Sequence, residues 1–517
     1  MGCGRSNYLQ TCSFKMSYKK AIKIIERFEK NKTALILLLL LLAFALFVRV
    51  YRIDQILGFY YDQGRDALVI WRFIYKGDPF LIGPTTGIEG IFRGPWYYWL
   101  ITPAYIIGGG NPIYPSIFLS LTTVAAIGIL YYLGKEALGA KTGFLAVIFA
   151  GFSYYLVLAS RWLSNPTPML IISTLLVLAM YMVTKGKKWA WYLISFMATM
   201  ALQFGSAAEI FYIPAIIIFA FWQRKFFPEK KAIFFCLIIF LIGFLPQIFF
   251  DLLNEGVISK AIKRFLIEEK SFRASFGEVF RLRIELYKSV FLSKIWPSNQ
   301  QYFPPSIFVF ATILVLKLKE LLKIKIFVIT SILLLSTIFG MLFFQGNYGN
   351  IYDYYFTGYY LIFILWLAII LGSVIQKNFW GWLLIIPFIY FFLSDNILLI
   401  RNYLVAGVDG PTTIAFGNQK QAINWIYNDA KDEEFNVDVY VPPVIPYAYD
   451  YLFKWWGSWK YKREPLSERV KLLYTLYEVD PPHPERLEAW LSRQEGIAKI
   501  EKEERFGGIV VQRRTRL

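Results

Sequence analysis

This chain of 517 residues has only three cysteines, Cys3, Cys12 and Cys236, and a single histidine, His483. No cysteine lies in the polar C-terminal part, so no disulfide framework supports it. A single histidine argues against a histidine-built metal site and against a histidine general base. His483 stands among prolines and reads as a loop residue without function. Acids are scarce too, with 36 Asp and Glu against 55 Lys and Arg and a net charge of +19. Gathered in one block, that surplus would point to nucleic acid. Here it falls in short segments between apolar runs, Lys15–Lys32, Lys185–Lys188, Arg224–Lys231 and Lys317–Lys325. That is the distribution of cytoplasmic loops in a membrane protein, and no nucleic-acid partner is expected. A phosphate-cradling glycine loop is also missing, which argues against nucleotide sugars. There is no cleavable signal and no internal repeat; the first apolar run lacks a small-residue cleavage site and reads as a retained anchor. Met1-Gly2-Cys3-Gly4-Arg5-Ser6 fits a myristoylation pattern of a kind common by chance, and Met16 is an alternative start.

Apolar surface is what the chain has most of: 57% of residues are hydrophobic and the mean hydropathy is +0.46. About eleven stretches are long enough to read as bilayer-spanning helices, at 33–50, 115–134, 142–160, 168–184, 189–203, 207–222, 232–250, 305–318, 326–344, 357–375 and 379–400. The expected fold is an all-α polytopic membrane domain followed by a small C-terminal α+β domain. Residues 1–32 form a basic cytoplasmic segment, 33–400 the transmembrane domain and 401–517 the extracytoplasmic domain. With the N-terminus inside, the basic connections all fall on the cytoplasmic side. Large outer loops then cover 51–114 and 251–304. Pro95–Ile107 is apolar but too short to cross, so it is placed at the interface, with Tyr97, Tyr98 and Trp99 at headgroup depth. In the second loop, Lys260, Lys263, Arg264, Lys270, Arg273, Arg281 and Arg283 suit either an amphipathic helix on anionic lipid or a wall facing a phosphate.

In the tail, Asn418–Asp429 and Pro484–Gln494 have helical spacing. Val437–Val441, Leu473–Tyr477 and Gly508–Gln512 read as strands. Tyr447, Tyr449, Tyr451, Phe453, Trp455, Trp456, Trp459 and Tyr461 crowd one stretch, as sugar-stacking faces or as packing.

Chemistry has to sit where polar residues survive, at the outer helix ends. The first outer loop opens Phe59-Tyr60-Tyr61-Asp62-Gln63-Gly64-Arg65-Asp66. Carboxylates at a membrane boundary are costly unless paired or functional. Asp62 is the candidate general base, because a carboxylate can take a proton from an attacking hydroxyl. Asp66 beside Arg65 reads as a structural pair. Glu89 and Arg93-Gly94-Pro95-Trp96-Tyr97-Tyr98-Trp99 follow; Arg93 suits either a lipid-linked phosphate or plain snorkelling. Later outer turns contribute Arg161, Asn165, Gln203, Asp353, Tyr354 and Tyr355, either as caps and anchors or as the walls of one outward cavity.

In order and spacing these residues resemble GT-C membrane glycosyltransferases of the protein O-mannosyltransferase and aminoarabinose transferase kind. The resemblance lies in an acidic motif in the first outer loop, a basic residue before an aromatic interfacial helix (Arg93–Trp99), a polar residue opening the fourth span (Asn165) and a late Tyr354-Tyr355 pair. It implies sugar transfer from a polyprenyl-phosphate donor to a glycan, lipid or protein acceptor on the outer face, with inversion. Arg93 and Arg161 would hold the donor phosphate, and Gln63, Arg65, Asp66, Glu89, Asn165, Gln203, Asp353, Tyr354 and Tyr355 would line the site. Gln63 and Asn165 stand where the family often has acids, so a single base, Asp62, and no metal or other cofactor are expected. The implied setting is a prokaryotic plasma membrane. The competing reading is a transporter or flippase of a lipid-linked sugar; it would favour midplane acids and paired halves, and neither is apparent.

Overall fold

The computed structural model describes residues 32–268, 275–344, 351–376, 379–442 and 445–517. The basic N-terminal segment with its myristoylation pattern, Lys270, Arg273 and Lys377 lie outside them. Each expected apolar stretch is helical. Among the described residues, six helices are long and apolar enough to cross a bilayer: Lys32–Ile56, Ile113–Leu138, Lys230–Leu253, Gln300–Leu321, Asp353–Ile375 and Phe379–Val405. A seventh span is possible as the pair Ala140–Phe152 and Tyr154–Arg161, bent by 63°. Met169–Thr184, Ala190–Phe204, Ala207–Trp222 and Lys325–Met341 are shorter. A helix of 16 residues, such as Met169–Thr184, rises only about 24 Å, against a hydrocarbon core of roughly 30 Å. The sequence expectation of about eleven spans is thus met in helix positions and not in span length. The chain is an integral membrane protein.

Burial orders these helices. In Asp353–Ile375, 83% of the apolar window is buried inside the protein, against 6% in Lys230–Leu253. The first is the central helix; the second presents Phe234, Leu237, Leu241 and Phe249 outward, as a lipid-facing helix does. The bend at Ser153 follows from its extended backbone. Its consequence for hydrogen bonding is met by Asn396, whose Oδ1 accepts from the Tyr154 N–H at 2.8 Å. Asn396 is itself fully buried and donates to the carbonyls of Ile295 and Phe392. A buried amide with its partners made is a specific joint between helices, because an unmet one would be costly. The Tyr154–Arg161 half-helix is aimed by it.

The first outer loop is not irregular. It contains the helices Tyr61–Lys76 and Trp96–Ile107. The first starts where Gln63 folds back to accept the Tyr60 N–H at 3.0 Å and stops at Gly77, whose φ of 72° suits glycine. The second has 12 residues, too few to cross. It buries Tyr97 and Tyr98 inside the protein, against the headgroup position expected of them, and leaves Trp99 exposed. In the second loop, helices Val257–Lys263 and Phe276–Tyr287 are amphipathic, with Lys260, Lys263 and Arg264 exposed.

The tail is a four-stranded sheet of order β1-β2-β4-β3, with β1 Phe435–Tyr440, β2 Leu472–Glu478, β3 Ala498–Phe506 and β4 Ile509–Arg516. β1 and β2 are parallel, and the other pairs antiparallel. Helices Phe416–Ala430 and Pro484–Glu495 stand where the sequence spacing predicts them. β3, AKIEKEERF, was not expected: it is an exposed edge strand whose charges replace the apolar alternation and guard the edge from other chains.

The tail docks on the first outer helix. A Cβ on Gly64 would sit 2.3 Å from the Ala448 nitrogen, so the Tyr61–Lys76 helix and the Tyr447–Leu452 helix touch backbone to backbone. The Tyr451 hydroxyl donates to the Gly110 carbonyl, Trp455 to Gly109 at 2.8 Å and Gln419 to Phe59 at 2.8 Å. Tyr449, Tyr451, Phe453 and Trp455 are buried. Half of the aromatic run is therefore packing; Trp459 remains exposed. We expect Gly64→Val to cost about 1–3 kcal/mol through overpacking and to free the tail. Limited proteolysis of the purified protein should then cut the 406–415 connection faster than in wild type. Unchanged cleavage would contradict this account of the docking.

Candidate functional site

A cavity of about 1130 Å³ opens among the helix ends and loops on the side where Asp62 and Arg93 lie. Its lining divides by chemistry. Asp62, Arg65, Arg93, Asn165, Tyr354 and Tyr355 supply polar groups; Ile210, Phe211, Pro214, Ile218, Phe244, Ile248, Phe339 and Phe343 supply an apolar wall. The polar groups come from the first outer helix and from loops, and the apolar ones chiefly from Ala207–Trp222, Lys230–Leu253 and the Lys325–Met341 region. A molecule with a charged head and a hydrocarbon tail matches that division.

Asp62, Arg65 and Asp66 share one face of the Tyr61–Lys76 helix. Arg65 bridges both acids, Nη1 to Asp62 at 2.9 Å and Nη2 to Asp66 at 2.8 Å. Its Nη1 also donates to the Thr85 hydroxyl at 3.0 Å. The two carboxylates differ in setting. The Asp62 side chain is 56% exposed and faces the cavity. Asp66 is buried, does not line the cavity and accepts a further bond from the Tyr98 hydroxyl at 2.9 Å. Burial pushes the Asp66 carboxyl up to about 6, against the pull of Arg65 and Tyr98.

Arg93 is held from behind. Gln203 accepts from the Gly94 N–H at 2.8 Å and donates to Gln247 at 2.8 Å. Gln247 donates to the Phe92 carbonyl at 2.9 Å. A Cβ on Gly94 would lie 2.1 Å from Gln203 Oε1, so a larger residue here would have to displace the Gln203 amide. Arg93 Nη1 and Asn165 Nδ2 share the Phe204 carbonyl, at 3.2 and 2.8 Å. Nε has no partner, and among the described residues no carboxylate forms an ion pair with this guanidinium. Burial lowers its pKa, and Glu209 works in the other direction.

The remaining sequence candidates lie elsewhere. Gln63 is buried in the start of its helix and donates to the Leu163 carbonyl. Gln203 is buried behind Arg93. Glu89 is exposed away from the cavity, its carbonyl accepting from Arg264 at 3.4 Å. The exposed Lys260, Lys263 and Arg264 make no wall to the cavity; Ile258, Ile262 and Phe265 of the same segment line it instead. Arg161 and Asp353 line a second, smaller cavity. Sequence reading missed Gln247, Asp251 and Ser259 in the main cavity, and Lys294, which pairs with Asp353 at 3.0 Å. Among the described residues no group of three or more His, Cys, Asp or Glu could hold a metal ion.

Residues 93–250 match the family model of dolichyl-phosphate-mannose-protein mannosyltransferase. No curated protein sequence matches the chain. Among solved structures, ArnT from Cupriavidus metallidurans in the apo state aligns with a TM-score of 0.60 and 11% identity, covering 94% of this chain and 98% of that one. The same protein bound to undecaprenyl phosphate aligns with a TM-score of 0.57 and 11% identity, over 93% of this chain and 97% of that one. The chain has the fold of a GT-C membrane glycosyltransferase of the ArnT type. The likeness runs over the tail as well as the helices.

The two acids should separate in a stability measurement. Asp66→Asn breaks a buried pair and should cost about 3–5 kcal/mol, seen as a clear fall in the unfolding temperature of detergent-purified protein. Asp62→Asn removes a half-exposed partner and should stay within about 1 kcal/mol of wild type. Equal shifts in the two variants would contradict the assignment of Asp66 as the structural member.

Proposed function

We propose that this protein transfers a sugar, of the hexose class, from a polyprenyl-phosphate donor to an acceptor hydroxyl on the outer face of a prokaryotic plasma membrane. The observation that carries the reading is Arg93: a guanidinium without a carboxylate partner, where the polar lining of a large cavity meets its apolar wall. A buried or half-buried cation of this kind favours an anionic ligand. The polyprenyl chain would lie along the apolar helices and the phosphate against Arg93. The undecaprenyl phosphate bound to ArnT, a protein of the same fold, supports this reading.

The reaction needs two things from the protein. The acceptor oxygen attacks the anomeric carbon as the bond from that carbon to the phosphate oxygen breaks, and Asp62 takes the acceptor proton. Polyprenyl phosphate leaves with the bonding electron pair, and Arg93 stabilises the charge that develops on it. A single displacement inverts the anomeric configuration. Arg65 orients Asp62, and Asn165 and Tyr354 face the space for the sugar. The basic connections favour a cytoplasmic N-terminus, with the tail and the site outside.

Purified protein incubated with a panel of polyprenyl-phosphate sugars and acceptor extract should release polyprenyl phosphate. Asp62→Asn should lower that turnover about a hundredfold or more while sparing donor binding. Arg93→Lys should keep part of the activity and Arg93→Ala very little, since a point charge replaces the guanidinium fork only in part. Release unaffected by Asp62→Asn, or donor binding unaffected by Arg93→Ala, would overturn these roles.

A further inference from the structure

The far end of the aromatic run in the tail takes no part in the site. After Tyr447–Leu452 the helix continues with wider turns over Phe453–Tyr461. It starts beside Gly64 and is then held at Gly110 by Tyr451 and at Gly109 by Trp455. A Cβ on Gly110 would lie 2.5 Å from the Trp455 ring and 2.9 Å from Trp71, so the packing there is close. Gly109 and Gly110 stand just before Ile113, where the span Ile113–Leu138 begins. The other flank of the segment meets the end of the first span. Lys420 is within electrostatic reach of Asp54, which lies in the last turn of Lys32–Ile56. A Cβ on Gly417 would come within 3.0 Å of the Gln55 carbonyl. The ends of two spans therefore set this corner of the tail at the level of the bilayer surface.

Its chemistry suits that level. The Trp456 and Trp459 rings stack at 5.4 Å. Asn424 Oδ1 accepts from the Trp456 indole at 2.8 Å, the Lys460 ammonium at 3.0 Å and the Tyr461 hydroxyl at 2.8 Å. One amide thus gathers the polar ends of three side chains. Lys420 and Lys460 lie over the Trp456 ring at 4.4 and 5.3 Å. Trp459 is left 59% exposed. Between Phe453 and Glu464 four cations stand against a single acid, Glu464, which Lys454 answers at 3.1 Å. On the membrane domain, exposed Ile106, Ile107 and Tyr114 flank the two glycines that hold the tail. A tryptophan with an apolar body and a polar edge, set among lysines, matches the headgroup layer of a bilayer. That layer adds roughly 5–7 Å to each side of the hydrocarbon core, enough to take in an indole ring.

We propose that this corner of the tail is a seat for anionic phospholipid: Trp459 enters the headgroup layer, and Lys420 and Lys460 bind lipid phosphates beside the ends of Lys32–Ile56 and Ile113–Leu138. The tail is then held at two points, by the backbone contact at Gly64 and by the bilayer at Trp459. The seat is built from residues that do not line the main cavity, so it does not depend on the glycosyl-transfer reading.

The test is nitroxide depth measurement on the full chain in lipid nanodiscs. Cys3, Cys12 and Cys236 are replaced by serine, and a nitroxide is placed on Trp459→Cys or, as a water-exposed control on the charged edge strand, on Glu504→Cys. Collisions with oxygen, which concentrates in lipid, are compared with collisions with a water-soluble nickel chelate. In phosphatidylcholine containing phosphatidylglycerol, the label at 459 should favour oxygen and the label at 504 the nickel chelate. Replacing the phosphatidylglycerol by phosphatidylcholine should shift the 459 label toward water, an arm that alters no residue of the seat. In the anionic nanodiscs, Lys420→Gln and Lys460→Gln should each lower the ratio of immersed to free label about fivefold, the scale of one lysine at an anionic surface. The seat is overturned if the 459 label is as open to nickel as the 504 label. Its selectivity for anionic lipid is overturned if phosphatidylcholine alone immerses the label equally. Shielding of the 459 label by added maltotriose, with no response to lipid composition, would make the corner a sugar platform and overturn the proposal.

Discussion

A charge at the edge of a bilayer has little water to solvate it, and the arrangement of the helix ends around the cavities follows from how each charge is answered. Asp66 is answered by Arg65 and the Tyr98 hydroxyl. The Lys294 ammonium is almost fully buried and is answered by Asp353. Those pairs fix helices to one another. Arg93 and Arg161 are supplied with backbone carbonyls and no carboxylate, and each lines a cavity. Desolvation makes an incomplete cation attractive to an anion, and Arg93 is the group on which the proposed donor site rests.

Rigid support makes those groups useful. The helix with Asp62 is clamped from outside by the tail, through the backbone contact at Gly64, and from inside by Tyr98. Arg93 sits on a segment tied by Gln203 and Gln247 to two membrane helices. Arg161 ends a half-helix aimed by Asn396. These three residues are thus held by contacts one step behind the cavity walls, an arrangement that keeps a site rigid. Trp162 and Tyr354 line both cavities and set them side by side.

Much of this was legible in the sequence because it is written in periodicity and composition. The apolar runs mark the helices, and Asp62, Arg93, Asn165 and Tyr354, read at helix ends, all line the main cavity. The span number was less legible, since four of the runs make helices too short to decide by length. Three-dimensional partners were not legible at all. Lys294 sits in sequence between Ser293 and Ile295 with no sign that Asp353 awaits it. Gln247 reads as one polar residue in a lipid-facing helix. Arg161 looks equivalent to Arg93 in the chain, and only the bend at Ser153 sends it to a different cavity. β3 was missed because its pattern is that of a charged edge.

The central claim is that Arg93 marks the phosphate end of a polyprenyl-phosphate site. A cryo-electron microscopy structure of the full chain with undecaprenyl phosphate tests it most directly. The account requires phosphate density within hydrogen-bond distance of the Arg93 guanidinium, with the chain running between the Ala207–Trp222 and Lys230–Leu253 helices. Phosphate density at Arg161 with Arg93 unoccupied, or lipid density only on the outer surface of the helices, would contradict it.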